Sequence, residues 1–306
     1  MKKQGLRIIA ALLFLAGAII FAYPLGESAV MEYRDRSTIK TFNEAKKEKE
    51  NYDRELRTQF EEYNRELCEK GQDDLSDAWN YEDGTFDYDN TGLAEEVVGY
   101  ITVPAMDIEL PLYIGADEKN LTQGAAVLAG TSMPVGGENT NCVIAAHRGY
   151  RGAAMFRDIE LLKPGDQVKI ANLWDTLEYK VISTAIIYPD DLDAIKIIPG
   201  EDMVTLVTCH PYTKNYQRYV VYCCRQGTEE AGVKSETGKG WNVPVQLEYE
   251  LSQPLIETEK ILHIGGTVLL AAGSFFLILN LFLPAKKKKR RYYHGRRRKG
   301  YGGKDR

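Results

Sequence analysis

Histidine and cysteine, the side chains that most often serve as catalytic base and nucleophile, are scarce in this sequence. Its 306 residues include four His and five Cys. The cysteines are odd in number, and they show neither the spacing of metal ligands nor an even disulfide framework. We therefore expect at least one free thiol, and neither a metal nor a cofactor.

Charged residues are absent from two long apolar stretches near the ends of the chain. Residues 8–25 and residues 261–284 contain no Lys, Arg, Asp or Glu. At about 1.5 Å per residue, a helix of the second stretch is long enough to cross a hydrocarbon core of about 30 Å. A buried core helix is the alternative, but neither stretch has a polar face. The sequence predicts two membrane-inserting helices, the first being a signal anchor or a signal peptide.

Acidic residues are nearly missing from both ends of the chain. The tail, residues 285–306, holds twelve of the 39 Lys and Arg beside one Asp, and the first 23 residues hold three basic residues and no acid. Because positive flanks stay in the cytoplasm, both ends are predicted to be cytoplasmic and the middle extracellular. The tail is expected to contact anionic membrane lipids. The middle is strongly acidic, which argues against a nucleic-acid partner.

Short β-rich runs separated by turn residues dominate the chain from Val97 onward. Examples are VVGYITV, CVIAA, LEYKVIST and RYVVYCC. Such runs predict a mainly β domain, either a sandwich or a closed barrel. In the charged segment before them, apolar residues recur at helical spacing, which predicts an amphipathic helix packed on another surface. These residues are Leu56, Phe60, Tyr63 and Leu67.

The candidate nucleophile is Cys209, which ends the β-branched run of TLVTCHPY. A thiol at the end of a strand can reach solvent. His210 comes next, but successive side chains of a strand point to opposite faces, so it is a poor candidate for the base. His263 lies in an apolar stretch and His294 in the basic tail. His147, at the end of CVIAAH, is the remaining histidine.

The third candidate group is Arg218. A hairpin centred between Thr213 and Lys214 would place Arg218 opposite Cys209 and on the same face. A guanidinium beside a thiol lowers the pKa of the thiol and can hold a carbonyl oxygen as charge develops on it. Cys209, His147 and Arg218 would then form an acyl-transfer site. In the alternative interpretation, the cysteine is a small buried hydrophobe and the arginine a solvated charge.

The elements TLVTC, AAHRG and NYQRYVV together resemble the active-site motifs of sortases, the extracellular cysteine transpeptidases of Gram-positive bacteria. The resemblance covers about residues 95–226 and implies a closed sortase-type β-barrel. It implies that Cys209 attacks the Thr-Gly bond of an LPXTG-like sorting signal, and that an amine resolves the thioacyl enzyme. His147 would protonate the leaving amine and deprotonate the incoming one. Arg218 would stabilise the oxyanion or orient the signal.

Two features resemble class C, the pilus-building sortases. One is the C-terminal apolar span. The other is LSDAW, residues 75–79, which resembles the Asp-Pro-aromatic lid of that class, with Ala78 in place of the proline. This resemblance makes Asp77 and Trp79 lid residues and a pilin lysine the acceptor; without it, residues 75–79 are a solvated acidic loop. The alternatives are a housekeeping sortase that attaches surface proteins to cell-wall precursor, and a non-catalytic surface module.

The predicted fold is mainly β, a sortase-type closed β-barrel with an N-terminal helical and lid segment, flanked by two membrane-spanning helices. LPXTG-like surface proteins or pilins are the expected substrates. The predicted segments, in chain order, are a signal anchor or signal peptide (1–29), a charged amphipathic helical segment (30–70), a lid-like loop (71–94), the catalytic barrel (95–230), a linker (231–260), the C-terminal transmembrane helix (261–284) and the basic cytoplasmic tail (285–306).

Overall fold

The computed structural model describes residues 2–48, 53–73, 75–81, 97–226 and 251–282. The predicted basic tail, most of the predicted linker and the later half of the lid-like loop lie outside these residues. The helices are α1 (Lys2–Glu48), α2 (Asp53–Lys70), α3 (Glu118–Gln123) and α4 (Gln253–Phe282). The strands are β1 (Val97–Val103), β2 (Ile108–Ile114), β3 (Ala125–Val127), β4 (Thr140–Ala145), β5 (Gln167–Asn172), β6 (Thr176–Ile187), β7 (Asp202–His210) and β8 (Gln217–Arg225).

The eight strands of the described residues close into a barrel in the order β1-β2-β3-β4-β7-β8-β6-β5. The pairs β2–β3 and β4–β7 are parallel, and the other pairs are antiparallel. Branched and aromatic side chains suit such pleated, buried surfaces. The prediction of a mainly β closed barrel is confirmed. Its core is filled by buried apolar side chains, among them Ile101, Leu112, Ile144, Val168, Leu206 and Val220.

The apolar face of α2 packs on the barrel. Leu56 and Phe60 are buried, and the Phe60 ring meets the Trp174 ring edge-on, with 5.8 Å between centroids. Tyr63 packs against the same core, while Leu67 is only half-buried. The face predicted from the spacing of these residues is therefore the buried face.

A single continuous helix, α1, joins the first apolar stretch to the barrel. Its second half buries Met31, Ile39 and Phe42, and the Phe42 ring lies edge-on to Tyr100 at 6.3 Å. The helix therefore continues without a break through the boundary predicted at residue 29. A helix continuing from the apolar stretch onto the barrel holds the barrel close to that stretch.

Both α1 and α4 are long and apolar enough to cross a membrane. Their apolar parts pack on each other: the Phe21 ring lies against Gly266 and the Phe14 ring against Gly273, where a Cβ atom would collide with the ring. Small residues permit this close approach between membrane helices. Since the earlier phenylalanine meets the later glycine, the two helices run antiparallel.

The first turns of α4 lie outside the apolar stretch and contact the barrel. The helix begins at Gln253, so residues 253–260, interpreted from the sequence as linker, are helical. Ile256 is buried, and Lys260 donates a hydrogen bond to Asp158 at 2.8 Å. Charged residues interrupt the hydropathy pattern here because this end of the helix faces polar groups of the barrel.

Candidate active site

Neighbouring strands bring His147 beside Cys209. The parallel strands β4 and β7 pair Ala145 with Val207, and His147 and Cys209 stand two residues beyond this pair. The same register continues past the end of β4, where the Thr208 hydroxyl donates to the carbonyl oxygen of residue 146 at 2.7 Å. A parallel pair with this register therefore carries the histidine and the cysteine to the same rim of the barrel.

On its other side, Cys209 pairs with Arg218. The antiparallel strands β7 and β8 place these two residues directly opposite each other, which is the register that the sequence predicts. Strand β7 continues for one more residue, so that His210 pairs with Gln217. Because side chains alternate along a strand, Cys209 and Arg218 share one face and His210 points to the other.

The carboxylate of Asp77 binds the guanidinium of Arg218 through two hydrogen bonds. Arg218 Nε lies 2.6 Å from Asp77 Oδ1, and Nη2 lies 2.7 Å from Oδ2. The remaining terminal nitrogen, Nη1, donates to the carbonyl oxygens of Asn215 and Gln217 at 3.0 and 2.9 Å. Parallel hydrogen bonds between arginine and carboxylate are among the strong ones in proteins. Each nitrogen of the guanidinium therefore donates to at least one oxygen while Asp77 is in place.

The indole of Trp79 contacts both Arg218 and His147. The Arg218 guanidinium lies 4.6 Å from the centroid of the ring, a cation–π contact. The indole Nε1 lies 3.5 Å from Nδ1 of His147. The Trp79 backbone N–H donates to Asp77 at 3.2 Å, so the aspartate caps the short turn that carries the tryptophan. These ring contacts are with the arginine and the histidine that flank Cys209.

The Cys209 thiol is largely shielded from water, and this opposes its ionisation. Only 7% of Cys209 is exposed. Burial raises the pKa of the thiol to about 11; the Asp77 charge adds to this rise, whereas the Arg218 charge works against it. Burial also lowers the pKa of His147 below its usual value. At neutral pH the closed site therefore holds a neutral thiol and a neutral imidazole.

Tyr81 directly follows the short turn that carries Trp79, and the sequence analysis does not single it out. Burial raises the pKa of its phenol, and the charges on Glu118 and Cys209 add to the rise. The residue follows LSDAWN in an acidic stretch of low complexity, and no spacing signal marks it. A second aromatic residue therefore extends the segment that begins with Asp77.

The other cysteines lack this environment. All five cysteines are free thiols, in agreement with the expectation of at least one. Cys142 and Cys223 are buried inside strands, and burial raises the pKa of each. Cys68, by contrast, is exposed on α2. Among these thiols, Cys209 is the one paired with an arginine at the barrel rim.

A groove beside the site does not include Cys209. It has a volume of about 610 Å³ and is lined by α1 residues from Tyr23 to Arg34, together with Tyr150 and Arg151. The Tyr150 ring stacks on His147 at 5.1 Å.

Comparison with known proteins identifies the family. Residues 101–226 match the model of the sortase domain. Sortase C of Streptococcus pneumoniae is 35% identical to this chain, with a TM-score of 0.57; the matched region covers 62% of this chain and 96% of that structure. The chain belongs to the sortase family.

Further relatives of this sortase agree with the assignment. Sortase C of Clostridium perfringens SM101 is 36% identical over 62% of this chain and 98% of that structure, with a TM-score of 0.52. Sortase A of Bacillus anthracis is 28% identical over 72% of this chain and 95% of the relative. The structural relatives are class C sortases. Sortases are cysteine transpeptidases, so the hypothesis of a non-catalytic surface module is wrong.

Proposed function

We propose that this sortase is a membrane-anchored, extracellular enzyme that cleaves an LPXTG-like sorting signal and transfers it to a lysine of a pilin. The observation that carries the proposal is the alignment of Cys209 between His147 and Arg218, beneath a segment whose Asp77 occupies the arginine. Asp77 and Trp79 form a lid in this proposal. The lid keeps the thiol inactive until a sorting signal displaces it.

The first half of the reaction uses all three residues at the barrel rim. When the lid opens, His147 takes the proton of the Cys209 thiol, and the thiolate attacks the threonine carbonyl carbon of the signal. Arg218, released from Asp77, stabilises the oxyanion that forms. The bond between carbon and the glycine nitrogen then breaks, and the leaving amine takes the proton from His147. The product is a thioester on Cys209.

The second half transfers the acyl group. An incoming lysine amine gives a proton to the neutral imidazole of His147 and attacks the thioester. The carbon–sulfur bond breaks, and the sulfur leaves as a thiolate, which regains a proton from the His147 imidazolium. An isopeptide amide joins the two proteins. His147 therefore alternates between its neutral and its protonated form in both halves of the reaction.

The choice of acceptor separates the two candidate functions. The relative from Streptococcus pneumoniae is a sortase C discussed for its pilin substrate specificity, and this favours a pilin lysine. The match to sortase A of Bacillus anthracis over 95% of its length favours the second candidate, attachment of surface proteins to cell-wall precursor. The α1–α4 helix pair and the lid support the first candidate, transfer to a pilin lysine.

The test is a transpeptidation assay with full-length protein in detergent micelles. An LPXTG-type peptide is offered together with either a peptide carrying a lysine ε-amine or a peptide carrying a glycine α-amine. We expect a thioacyl adduct on Cys209 by mass spectrometry and a product formed preferentially with the lysine peptide. Asp77→Ala, which frees Arg218, is assayed in parallel because the closed lid slows the wild type.

Two outcomes would count against the proposal. A preference for the glycine amine would assign the housekeeping function. Failure of both the wild type and Asp77→Ala to form any adduct would reject an LPXTG-like signal as the substrate.

We also propose that both termini lie in the cytoplasm and that the first apolar stretch is an uncleaved anchor. Antiparallel packing of α1 on α4 supports both statements, since paired antiparallel spans return the chain to its starting side. The basic flanks give the direction. Protease added to intact protoplasts should digest residues 30–258 and spare the basic tail, as followed with an epitope at the C-terminus.

The control for this experiment is the same digestion after lysis, which should remove the tail as well. Loss of the C-terminal epitope from intact protoplasts would contradict the topology. A mature N-terminus near residue 29 would contradict the uncleaved anchor.

A further inference from the structure

The residues that directly follow His147 and Cys209 meet on the side of the sheet opposite the active site. They are Arg148 and His210, and Nη1 of Arg148 lies 2.6 Å from Nδ1 of His210. The same Nδ1 lies 3.4 Å from Oε1 of Glu160. The same Nη1 donates to the carbonyl oxygen of Cys209 at 3.2 Å. Arg148 is thus joined to His147 by the chain and to Cys209 by a hydrogen bond.

A single carboxylate, Glu160, holds this arginine. Nη2 of Arg148 donates to Oε1 of Glu160 at 2.5 Å, and the two side chains are 2% and 1% exposed. Arg148, Glu160 and His210 are named here the rear cluster. Burial opposes a charge on Glu160, but hydrogen bonds from His210 and Arg148 outweigh it and lower the pKa of the carboxyl to about 2. Glu160 is therefore ionised throughout the neutral range.

Glu160 also connects the rear cluster to the start of α4. Its Oε2 accepts hydrogen bonds from the backbone N–H groups of Ser252 and Gln253, each at 3.0 Å. The first N–H groups of a helix lack partners within the helix and carry partial positive charge, which a carboxylate offsets. Ile256, in the first turn, is 1% exposed and fixes this end of the helix.

A buried ion pair is weak evidence for stability, because desolvation of both charges offsets much of their attraction. The contacts of this pair fix geometry instead. We propose that Glu160 is a positioning residue: it holds Arg148 against the Cys209 backbone and so sets where Cys209 and His147 stand, with the N-terminus of α4 as its support. The inference rests on the roles proposed above for Cys209 and His147.

The test begins with Glu160→Gln in the full-length protein in micelles. Glutamine keeps the size of the side chain and removes its charge, which leaves Arg148 without its anionic partner. In the transpeptidation assay we expect kcat to fall about tenfold, because small displacements of reacting groups slow chemistry strongly. KM should stay within about twofold, since no substrate contact is removed.

A second measurement, the pH dependence of Cys209 alkylation by iodoacetamide, needs no sorting signal. Burial and the Asp77 charge raise the pKa of Cys209, whereas the charges of Arg218 and Arg148 lower it. Removing the Glu160 charge leaves Arg148 uncompensated, so the alkylation curve of Glu160→Gln should shift to lower pH. Since alkylation is independent of the peptide, this measurement separates failure of the inference from failure of the proposed substrate.

Three further variants make the experiment decisive. Glu160→Asp keeps the charge, and it should return the alkylation curve to its wild-type position and recover part of kcat. Glu178→Gln, which breaks the half-exposed pair with Lys169, is the matched control and should change neither measurement. Ile256→Ala loosens the start of α4 without removing a charge, and it should lower kcat severalfold with an unshifted curve.

The outcomes that would overturn the inference are distinct. An unchanged kcat and an unshifted curve in folded Glu160→Gln would overturn the positioning role, as would an equal loss in Glu178→Gln. Wild-type kcat in Ile256→Ala would overturn the support by α4. If Glu160→Gln does not fold, Glu160→Asp and Ile256→Ala still test the inference, because wild-type kcat in both would reject it.

Discussion

Replacing Cys209 with alanine is expected to abolish the thioacyl adduct with an LPXTG-type peptide, since no other thiol stands at the rim between the two partner residues. His147→Ala and Arg218→Ala are each expected to lower turnover about a hundredfold or more, the usual effect of losing a general acid–base or an oxyanion donor. Mass spectrometry detects the adduct, and the initial rate of isopeptide formation gives turnover.

Arg218→Ala should have two opposite effects, and together they distinguish a catalytic role from general damage. The arginine binds Asp77 through two hydrogen bonds and lies under the Trp79 ring, so its removal also releases the lid. Alkylation of Cys209 should therefore become faster while transpeptidation becomes slower. An unchanged melting temperature would show that unfolding does not cause the faster alkylation.

Matched variants exist for each substitution. Cys224→Ala removes a half-buried thiol from β8, and Arg225→Ala removes another arginine of the same strand, which lies over Tyr179. Both should leave adduct formation intact. His210→Ala should cost much less activity than His147→Ala, because His210 belongs to the rear cluster and points away from Cys209. If His210 proved as essential as His147, the assignment from strand alternation would be wrong.

Much of the arrangement around Cys209 could be predicted because it depends on local pattern. Alternation along β7, the position of the turn and the count of residues to Arg218 together give the pair observed between β7 and β8. His147 is then the candidate base by elimination, because the other histidines lie in unsuitable segments or on the wrong face of the strand. These inferences use one strand or one hairpin, where spacing determines which side chains share a face.

The rear cluster could not be predicted in the same way. Its members come from the ends of β4 and β7 and from a short turn at Glu160, and its support comes from Ser252, far along the chain. No spacing links positions that meet only through tertiary packing. The first residue of α4 could not be predicted for a related reason. Hydropathy indicates where a helix is apolar, and the charged first turns that contact the barrel carry no such signal.

The lid gives the other large expected effect. Asp77→Ala and Trp79→Ala should each speed alkylation of Cys209 by iodoacetamide and raise hydrolysis of a free LPXTG-type peptide. For Asp77→Ala we expect a factor of about ten or more, because the substitution removes a bidentate, largely buried ion pair. Exposure of the thiol and loss of the Asp77 charge both lower the pKa of Cys209. The curve of alkylation rate against pH should therefore move to lower pH.

The matched control for Asp77→Ala is Asp73→Ala, an equal change at an exposed position just before the lid. It should leave both rates at their wild-type values. The base of the lid is held separately by Gln72, whose side chain donates to the carbonyl oxygen of Gly130 and accepts from the N–H of Ile197. Opening of the lid in the Asp77 variant is therefore expected to leave this anchor in place.

Ala78→Pro should act in the opposite direction and slow both reactions. Ala78 is the first residue of a short 3-10 turn, and Asp77 before it has ψ of 138°, the extended conformation that a following proline requires. Among the described residues no hydrogen bond uses the Ala78 N–H. A proline here restricts the conformations of the open lid and so favours the closed lid by about 0.4 to 1 kcal/mol. Alkylation should therefore be about two- to fivefold slower. Faster alkylation would mean that the proline ring does not fit at the buried position of Ala78.

The three lid variants together decide between a gate and a passive loop. A gate requires that Asp77→Ala and Trp79→Ala expose the thiol and that Ala78→Pro protect it, since all three alter one equilibrium between closed and open forms. Hydrolysis should follow alkylation in each variant, because both depend on the open fraction. Equal alkylation rates in all three variants would make residues 75–81 a solvated loop that happens to lie over Arg218, and displacement of the lid would then be no part of the reaction.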